Sequence, residues 1–337
     1  MVIRVTQFMR RSVPGGSYSV ERLYEDVRSH LPSDILVHVK GSRYYSLGLW
    51  RRLYDAVTAS RHQGDVNHVT GDIHFLTYFL AKRRTLLTVL DCEALGRLRG
   101  LQRWILWLFW FWLPEKRCSA IVVISSATKC QLLKHLRCNP DKVRVIHCNV
   151  SAEFQALPKS FNTARPRLLQ IGTKPNKNIE RVAEALEGLD CELTVIGQVS
   201  DSQRAALARH AVRFENRVGL SREELLREYQ RCDLLIFAST YEGFGLPIVE
   251  ANAVGRPVVT GNLLSMPEVA GDAACLVDPF DVGSIRAGIR RVIEDAEYRD
   301  RLVARGFANC ERFQVDVITS QYADLYREIY RKAKRAG

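Results

Sequence analysis

Short apolar runs of strand length recur along this chain, each followed by a polar turn and then by apolar positions at helical spacing. Residues 2–8 alternate like a first strand, and residues 17–30 carry helical spacing through Val20, Leu23, Tyr24 and Val27. Further strands are predicted at 35–39, 86–91, 119–124 and 141–146, with a strand end opening into a loop over 65–74. Ser125 caps a helix after the strand at 119–124. Periodicity fades over 151–166, where prolines and small polar residues accumulate, as in a linker. The alternation then resumes, with strands at 167–171, 193–197, 212–218 and 234–237 and another beginning at Val258. Helices are predicted at 179–186, 221–229 and 247–254, followed by a helical pattern over 282–329 and a loose basic tail over 330–337. Ser221 with Glu224 three residues on is a capping box. Strands alternating with helices in both halves predict an α/β protein of two doubly wound, Rossmann-like domains, 1–157 and 158–337, facing each other across a cleft.

The densest chemistry lies between Asp233 and Pro279. A strand ends in Ser239-Thr240-Tyr241, then Gly243 and Gly245 bracket Phe244, and Pro247 suits the first turn of a helix. A helix N-terminus reached through glycines presents backbone N–H groups and a positive dipole end to an anion. Glu242 in the loop and Glu250 on the helix flank that site with seven residues between them. A carboxylate beside a phosphate cradle repels phosphate but accepts hydrogen bonds from hydroxyls, so the ligand carries both phosphates and sugar rings. In the preceding unit, Gly172-Thr173-Lys174-Pro175-Asn176-Lys177-Asn178 puts lysines on a glycine–proline loop before a helix, which suits a diphosphate. The strand at 193–197 ends in Gly197, where a base or ribose can lie close.

The string Glu242-Gly243-Phe244-Gly245-Leu246-Pro247-Ile248-Val249-Glu250, followed by Pro267-Glu268-Val269-Ala270-Gly271 and Val277-Asp278-Pro279, resembles the family-4 glycosyltransferases of the GT-B fold. Their hallmark is two glutamates separated by seven residues. The resemblance covers nearly the whole chain and is strongest over 172–279. It implies retaining transfer of a sugar from a nucleotide-diphosphate sugar to a hydroxyl of a glycan or lipid-linked acceptor, in surface polysaccharide or glycolipid synthesis. Under it, Glu250 holds the ribose hydroxyls, while Glu242 and the amides of Phe244, Gly245 and Leu246 position the donor. Lys177 stabilises the departing phosphate. The family's arginine before that lysine is absent, and Lys174 is its stand-in. Gly15 and Gly16 correspond to a Gly-Gly near the donor phosphates, and Gly172 and Gly197 complete the donor loops. The family often ends a strand in His-Asp at the place of Leu90-Asp91; Asp91 remains, and His68 or His74 is a candidate for the missing histidine. No cofactor or divalent metal is implied, and the chain has no Asp-x-Asp motif.

Composition sharpens the picture at two points. Residues 1–150 hold 23 lysines and arginines against 11 acids, whereas residues 151–337 hold 26 of each, so the formal charge of +12 belongs to the first half. A one-sided basic half fits an anionic contact surface. Residues 101–113 read LQRWILWLFWFWL, hold four of the five tryptophans, and are too short to span a bilayer. They are either a core helix or an interfacial one flanked by headgroup-binding arginines. The expectation is a cytoplasmic enzyme with its first domain, the acceptor-binding one, in peripheral contact with an anionic membrane at its inner face. The N-terminal residues are too short and too charged in their apolar part for a signal peptide, and nine scattered cysteines without a C-x-x-C pair suit a reducing compartment. The alternatives are a sugar-nucleotide epimerase of similar fold and, from another class, a basic module binding nucleic acid or another anionic surface. Aromatics clustered in one apolar block, not interleaved with Lys and Arg, speak against base stacking and for no nucleic-acid partner.

Overall fold

The computed structural model describes residues 2–11 and 19–335, so Gly15 and Gly16 lie outside the described residues. Among the described residues the strands form two six-stranded parallel sheets. The first contains β1 (Ile3–Met9), β2 (Ile35–Gly41), β3 (Val66–Val69), β4 (Thr85–Val89), β5 (Ala120–Val123) and β6 (Val143–Val145), in the order β2-β1-β3-β4-β5-β6. The second contains β7 (Arg167–Ile171), β8 (Glu192–Ile196), β9 (Phe214–Arg217), β10 (Leu234–Phe237), β11 (Val258–Gly261) and β12 (Cys275–Val277), in the order β12-β11-β10-β7-β8-β9. Helices cover the sheet faces, so central strands such as β4, β5 and β10 are buried along their whole length. This is the two-sheet α/β architecture the alternation predicts.

Each sheet reverses its strand order once. In the second, β7 lies between β8 and β10, with Leu234 opposite Leu168 and Ile236 opposite Gln170. The loops leaving the carboxyl ends of β7 and β10 therefore run in opposite senses and open a crevice, which is where ligands of doubly wound sheets sit.

The division into units differs from the expected 1–157 and 158–337. One unit comprises Met1–Asn149 together with Val315–Gly337, and the other Val150–Gln314. The reason is the last helix, Val315–Arg335, which packs on the first sheet. Its Tyr322 and Tyr326 are fully buried around Tyr24 and His68, and the Tyr326 hydroxyl meets His68 Nδ1 at 2.8 Å. Arg327 adds a two-pronged ion pair to Asp34 at 2.8 and 3.0 Å. The tail expected to be loose is therefore helical through Arg335, ordered by tyrosines that a linear pattern assigns to the nearer sheet.

Sequence periodicity missed the helix Leu49–Ser60. Its inward face is Asp55, Ala56 and Ala59, while Trp50, Leu53, Tyr54 and Val57 point outward, so the usual apolar-in pattern is inverted. The buried Asp55 accepts from the backbone amides of Arg43 and Tyr44.

Candidate functional site

The loop after β7 turns through Gly172, whose φ is +87°. A Cβ there would lie 3.0 Å from Cε of Lys177, so the glycine is needed for the lysine to fold back over the strand end. Asn178 closes the turn in the left-handed region at φ 63°. Its Nδ2 donates to the carbonyl of Ala238, just past β10, and to that of Pro279. Thr240 N donates to the Asn176 carbonyl at 2.8 Å, and Asn176 Nδ2 donates to the Tyr241 carbonyl at 2.8 Å. The two loops at the crevice are thus tied together by backbone-directed bonds, and an ion pair forms where they meet. Lys177 Nζ lies 2.6 Å from Glu242 Oε1 and 4.4 Å from the centre of the Phe237 ring. Both side chains are only about one-seventh exposed, at 15% and 14%.

Glu242 begins the turn into the helix Leu246–Val254. Gly245 holds φ +110° at the N-cap, and a Cβ there would meet Ile248 at 3.1 Å. The Phe244 ring turns inward against Phe313, edge to face at 5.6 Å, so this residue presents only backbone to a ligand. Ser265 clamps the turn from behind: its fully buried hydroxyl lies 2.9 Å from the Glu242 carbonyl and 2.8 Å from that of Phe244. Gly243 sits in the same turn, and Leu246 is the first helical residue. One turn further in, Glu250 is 12% exposed by side chain and accepts from the Tyr229 hydroxyl at 2.6 Å. Burial raises its carboxyl above the ordinary glutamate range, opposed by the Tyr229 hydrogen bond and by Arg222.

The structure thus brings together Lys177, Glu242, Gly172 and the turn Gly243–Leu246, with Glu250 on the following helix. Lys174 is exposed at the rim of the same loop. Gly197 has φ +121°, but the room its missing Cβ leaves is taken by Thr173 at 3.2 Å, so its observed neighbour is a side chain of the lysine loop. Asp91 lies in the other unit, exposed beyond the carboxyl end of β4, and accepts from the Glu93 amide at 3.0 Å.

Neither histidine considered for the vacant family position stands as a surface base. His68 is fully buried, hydrogen-bonded through Nδ1 to Tyr326 and through Nε2 to Thr88, and burial pulls its pKa down to about 3. His74 is buried beside Phe111 and donates from Nδ1 to the Trp110 carbonyl at 2.6 Å, its pKa lowered mainly by burial. The tryptophan-rich segment is in part a core element, as the first of its two readings expects. Phe111 is buried, Trp107 and Trp110 pack on the core, and Trp107 donates to the His135 carbonyl. On the opposite side Leu101, Trp104 and Ile105 are exposed, Trp104 by 52%.

Sequence reasoning missed Tyr229, Arg222, Asn176 and Ser265. Asn176 sits inside the lysine loop and was within reach; the others act on the site from distant segments and carry no local signature.

The profile for "Glycosyltransferase Family 4" matches residues 5–154, and that for "Glycosyl transferases group 1" matches residues 155–308. The chain is 41% identical to the Escherichia coli "O-antigen chain mannosyltransferase B" over 105 residues, 31% of this chain and 28% of that protein. It is 27% identical to the Escherichia coli "Serotype-specific mannosyltransferase WbdA" over 226 residues, 59% of this chain and 27% of that protein. The matched segments span little more than a quarter of these relatives' own length. Among solved structures, Anabaena Alr3699/HepE in complex with UDP and glucose superposes with a TM-score of 0.76 at 18% identity, covering 97% of this chain and all of that one. WaaG, a glycosyltransferase involved in lipopolysaccharide biosynthesis, superposes at 0.70 and 15% identity, covering 96% and 99%. At such identities the likeness is one of fold.

Proposed function

The chain belongs to the family-4, group 1 glycosyltransferases of the GT-B fold, and on that premise we propose that it transfers a sugar from a nucleotide-diphosphate sugar to an acceptor hydroxyl with retention at the anomeric carbon. The observation that carries this is the meeting of Lys177 and Glu242 at the switch point of the second sheet, beside a glycine-led helix N-terminus that carries Glu250 one turn further on.

In this reading Glu250 accepts hydrogen bonds from the ribose. The amides at Phe244, Gly245 and Leu246 face the diphosphate, and Glu242 accepts from hydroxyls of the donor sugar. As the bond between the anomeric carbon and the diphosphate oxygen breaks, the acceptor oxygen bonds to that carbon on the same face, which keeps the configuration, and its proton passes to the departing diphosphate oxygen. Lys177 neutralises charge as it builds on the departing phosphate, as Lys174 does from the rim. For this Lys177 exchanges its partner, leaving Glu242 for the phosphate and freeing that carboxylate for the sugar. Asp91 is the acceptor-side carboxylate. Transfer proceeds without a divalent metal, the lysines supplying the positive charge.

The mannosyltransferase relatives favour mannose as the sugar and a surface glycan or its lipid-linked precursor as the acceptor. The first domain supports work at the inner face of an anionic cell membrane. Leu49 and Trp50 (79%) are exposed on one helix and Leu101 and Trp104 on another, and Arg52 of the first lies 4.5 Å from the ring of Trp110, which follows the second. Apolar and aromatic side chains set among arginines suit a headgroup boundary. Among the described residues no helix is long and apolar enough to cross a membrane.

The test is a panel of UDP-, GDP- and ADP-sugars, mannose and glucose included, assayed with chelator present for binding and slow donor hydrolysis on wild type and Glu250→Ala. One donor that binds, turns over and is lost in the variant supports the reading. Response to none of them overturns it, and epimerised donor without transfer moves the assignment to an epimerase.

A further inference from the structure

Glu250 is held by a second layer of side chains that the reaction as described does not use. Tyr229 is fully buried and donates its hydroxyl to Glu250 Oε2 at 2.6 Å. Its ring packs edge-on against Phe154, with centres 5.4 Å apart. Arg222, two turns earlier on the helix Arg222–Arg231 and so on the same face, lies over Phe154 at 4.6 Å. It pairs with Glu153 at 2.8 Å and reaches to 3.9 Å from Glu250 Oε1. The start of that helix is itself locked by the Ser221–Glu224 capping box.

The two carboxylate oxygens are therefore unlike. Oε2 is engaged by a short bond from a rigid, neutral donor. Among the described residues Oε1 has only a long contact, to a guanidinium already committed to Glu153. A phenylalanine at 229 would fill the same space in the core, so what the hydroxyl adds is directed at the carboxylate.

We propose that Tyr229 is a positioning residue for Glu250, fixing the carboxylate through Oε2 so that Oε1 is presented to the vicinal hydroxyls of a nucleotide ribose. The inference rests on the reading of Glu250 as the ribose acceptor. A carboxylate must be ionised to accept from two hydroxyls, and burial here works against ionisation while Tyr229 and, less strongly, Arg222 favour it. These two are the groups that face Glu250 from the neighbouring helix, with Glu153 holding Arg222. On the helix Ala296–Cys310, packed along the other side, Asn309 turns to Asn252 and Cys310 to the Val249 carbonyl. Removing the Tyr229 hydroxyl leaves burial less opposed, so the carboxyl protonates at a higher pH and the acid limb of binding moves up.

The experiment titrates UDP, GDP and ADP into wild type, Tyr229→Phe, Glu250→Gln and the double variant between pH 5 and 9, and follows KM and kcat for the donor that is turned over. Tyr229→Phe is expected to weaken nucleotide binding and raise donor KM by about tenfold, the size of one hydrogen bond to a charged group. Its kcat should change little and its acid limb should move to higher pH. In the double variant the loss should equal that of Glu250→Gln alone, since Tyr229 acts only through that carboxylate. A lowered Tm with unchanged KM and unchanged acid limb reduces Tyr229 to core packing and overturns the proposal, as do additive losses in the double variant. Nucleotide binding by Glu250→Gln as tight as wild type overturns instead the ribose role of Glu250, on which the proposal stands.

Discussion

Lys177 and Glu242 are 65 residues apart in the chain and 2.6 Å apart in space, the one closing the loop after β7 and the other the loop after β10. Neither loop could place such a pair alone. It exists because β7 and β10 are hydrogen-bonded neighbours whose following loops are tied by Asn176 and Asn178.

If Lys177 carries the charge of the leaving group, Lys177→Ala should lower kcat on the order of a hundredfold, as loss of one preorganised electrostatic contact does. Nucleotide binding should fall much less. Steady-state kinetics beside calorimetric binding separates the two, and a variant within twofold of wild type in kcat removes Lys177 from the chemistry.

Gly172 makes room for that lysine. Gly172→Ala sets a Cβ 3.0 Å from Lys177 Cε at a residue whose φ is +87°. The expected cost is about 1–2 kcal/mol in unfolding free energy. Turnover should fall as well, because the lysine is pushed off its path. Denaturant unfolding and kcat measured together check this; a loss of stability with normal kcat means the lysine finds another route.

Ser265 touches no ligand in the proposed reaction, yet its hydroxyl holds the carbonyls of Glu242 and Phe244. Ser265→Ala should destabilise by about 1–3 kcal/mol, because buried acceptors lose their donor. It should also raise donor KM, because the turn that presents Glu242 and the helix amides loosens. Rescue of KM by Ser265→Thr, which keeps the hydroxyl, distinguishes the clamp from general damage.

His68 is neutral in the folded protein, with its pKa pulled down to about 3 by burial. The unfolded chain takes up a proton near pH 6.5, so this site contributes stability that is full above that pH and is lost as pH falls towards 3. Its share of the decline approaches about 1.4 kcal/mol per pH unit. Urea unfolding at pH 7, 6 and 5 should show a shallower acid loss in His68→Gln than in wild type. Parallel slopes would mean that other groups govern acid stability.

The outward face of the helix Leu49–Ser60 should decide membrane binding. Trp50→Glu with Leu53→Glu is expected to abolish co-sedimentation with vesicles containing phosphatidylglycerol while leaving the donor-binding assays unchanged. Wild-type protein that ignores anionic vesicles, or binds neutral ones equally, removes the membrane from the proposal.

What the sequence determined by itself is local. The strands at Arg167–Ile171 and Leu234–Phe237, the helix Ile179–Leu186 and the Ser221 cap lie where periodicity and capping put them. The loop chemistry of Gly172–Asn178 and Glu242–Leu246 was equally legible, because glycine, proline and charge act within a few residues of one another. What the tertiary structure decided depends on contacts with no fixed spacing along the chain. Helical periodicity says that Val315–Arg335 has an apolar face but not which sheet that face covers; Tyr322 and Tyr326 chose the first, and His68 became interior as a result. Likewise Tyr229 reads from sequence as one aromatic on a capped helix. Only the packing of that helix on Leu246–Val254 turns its hydroxyl to Glu250, because a buried hydroxyl and a buried carboxylate each need a partner and folding brings the two within reach.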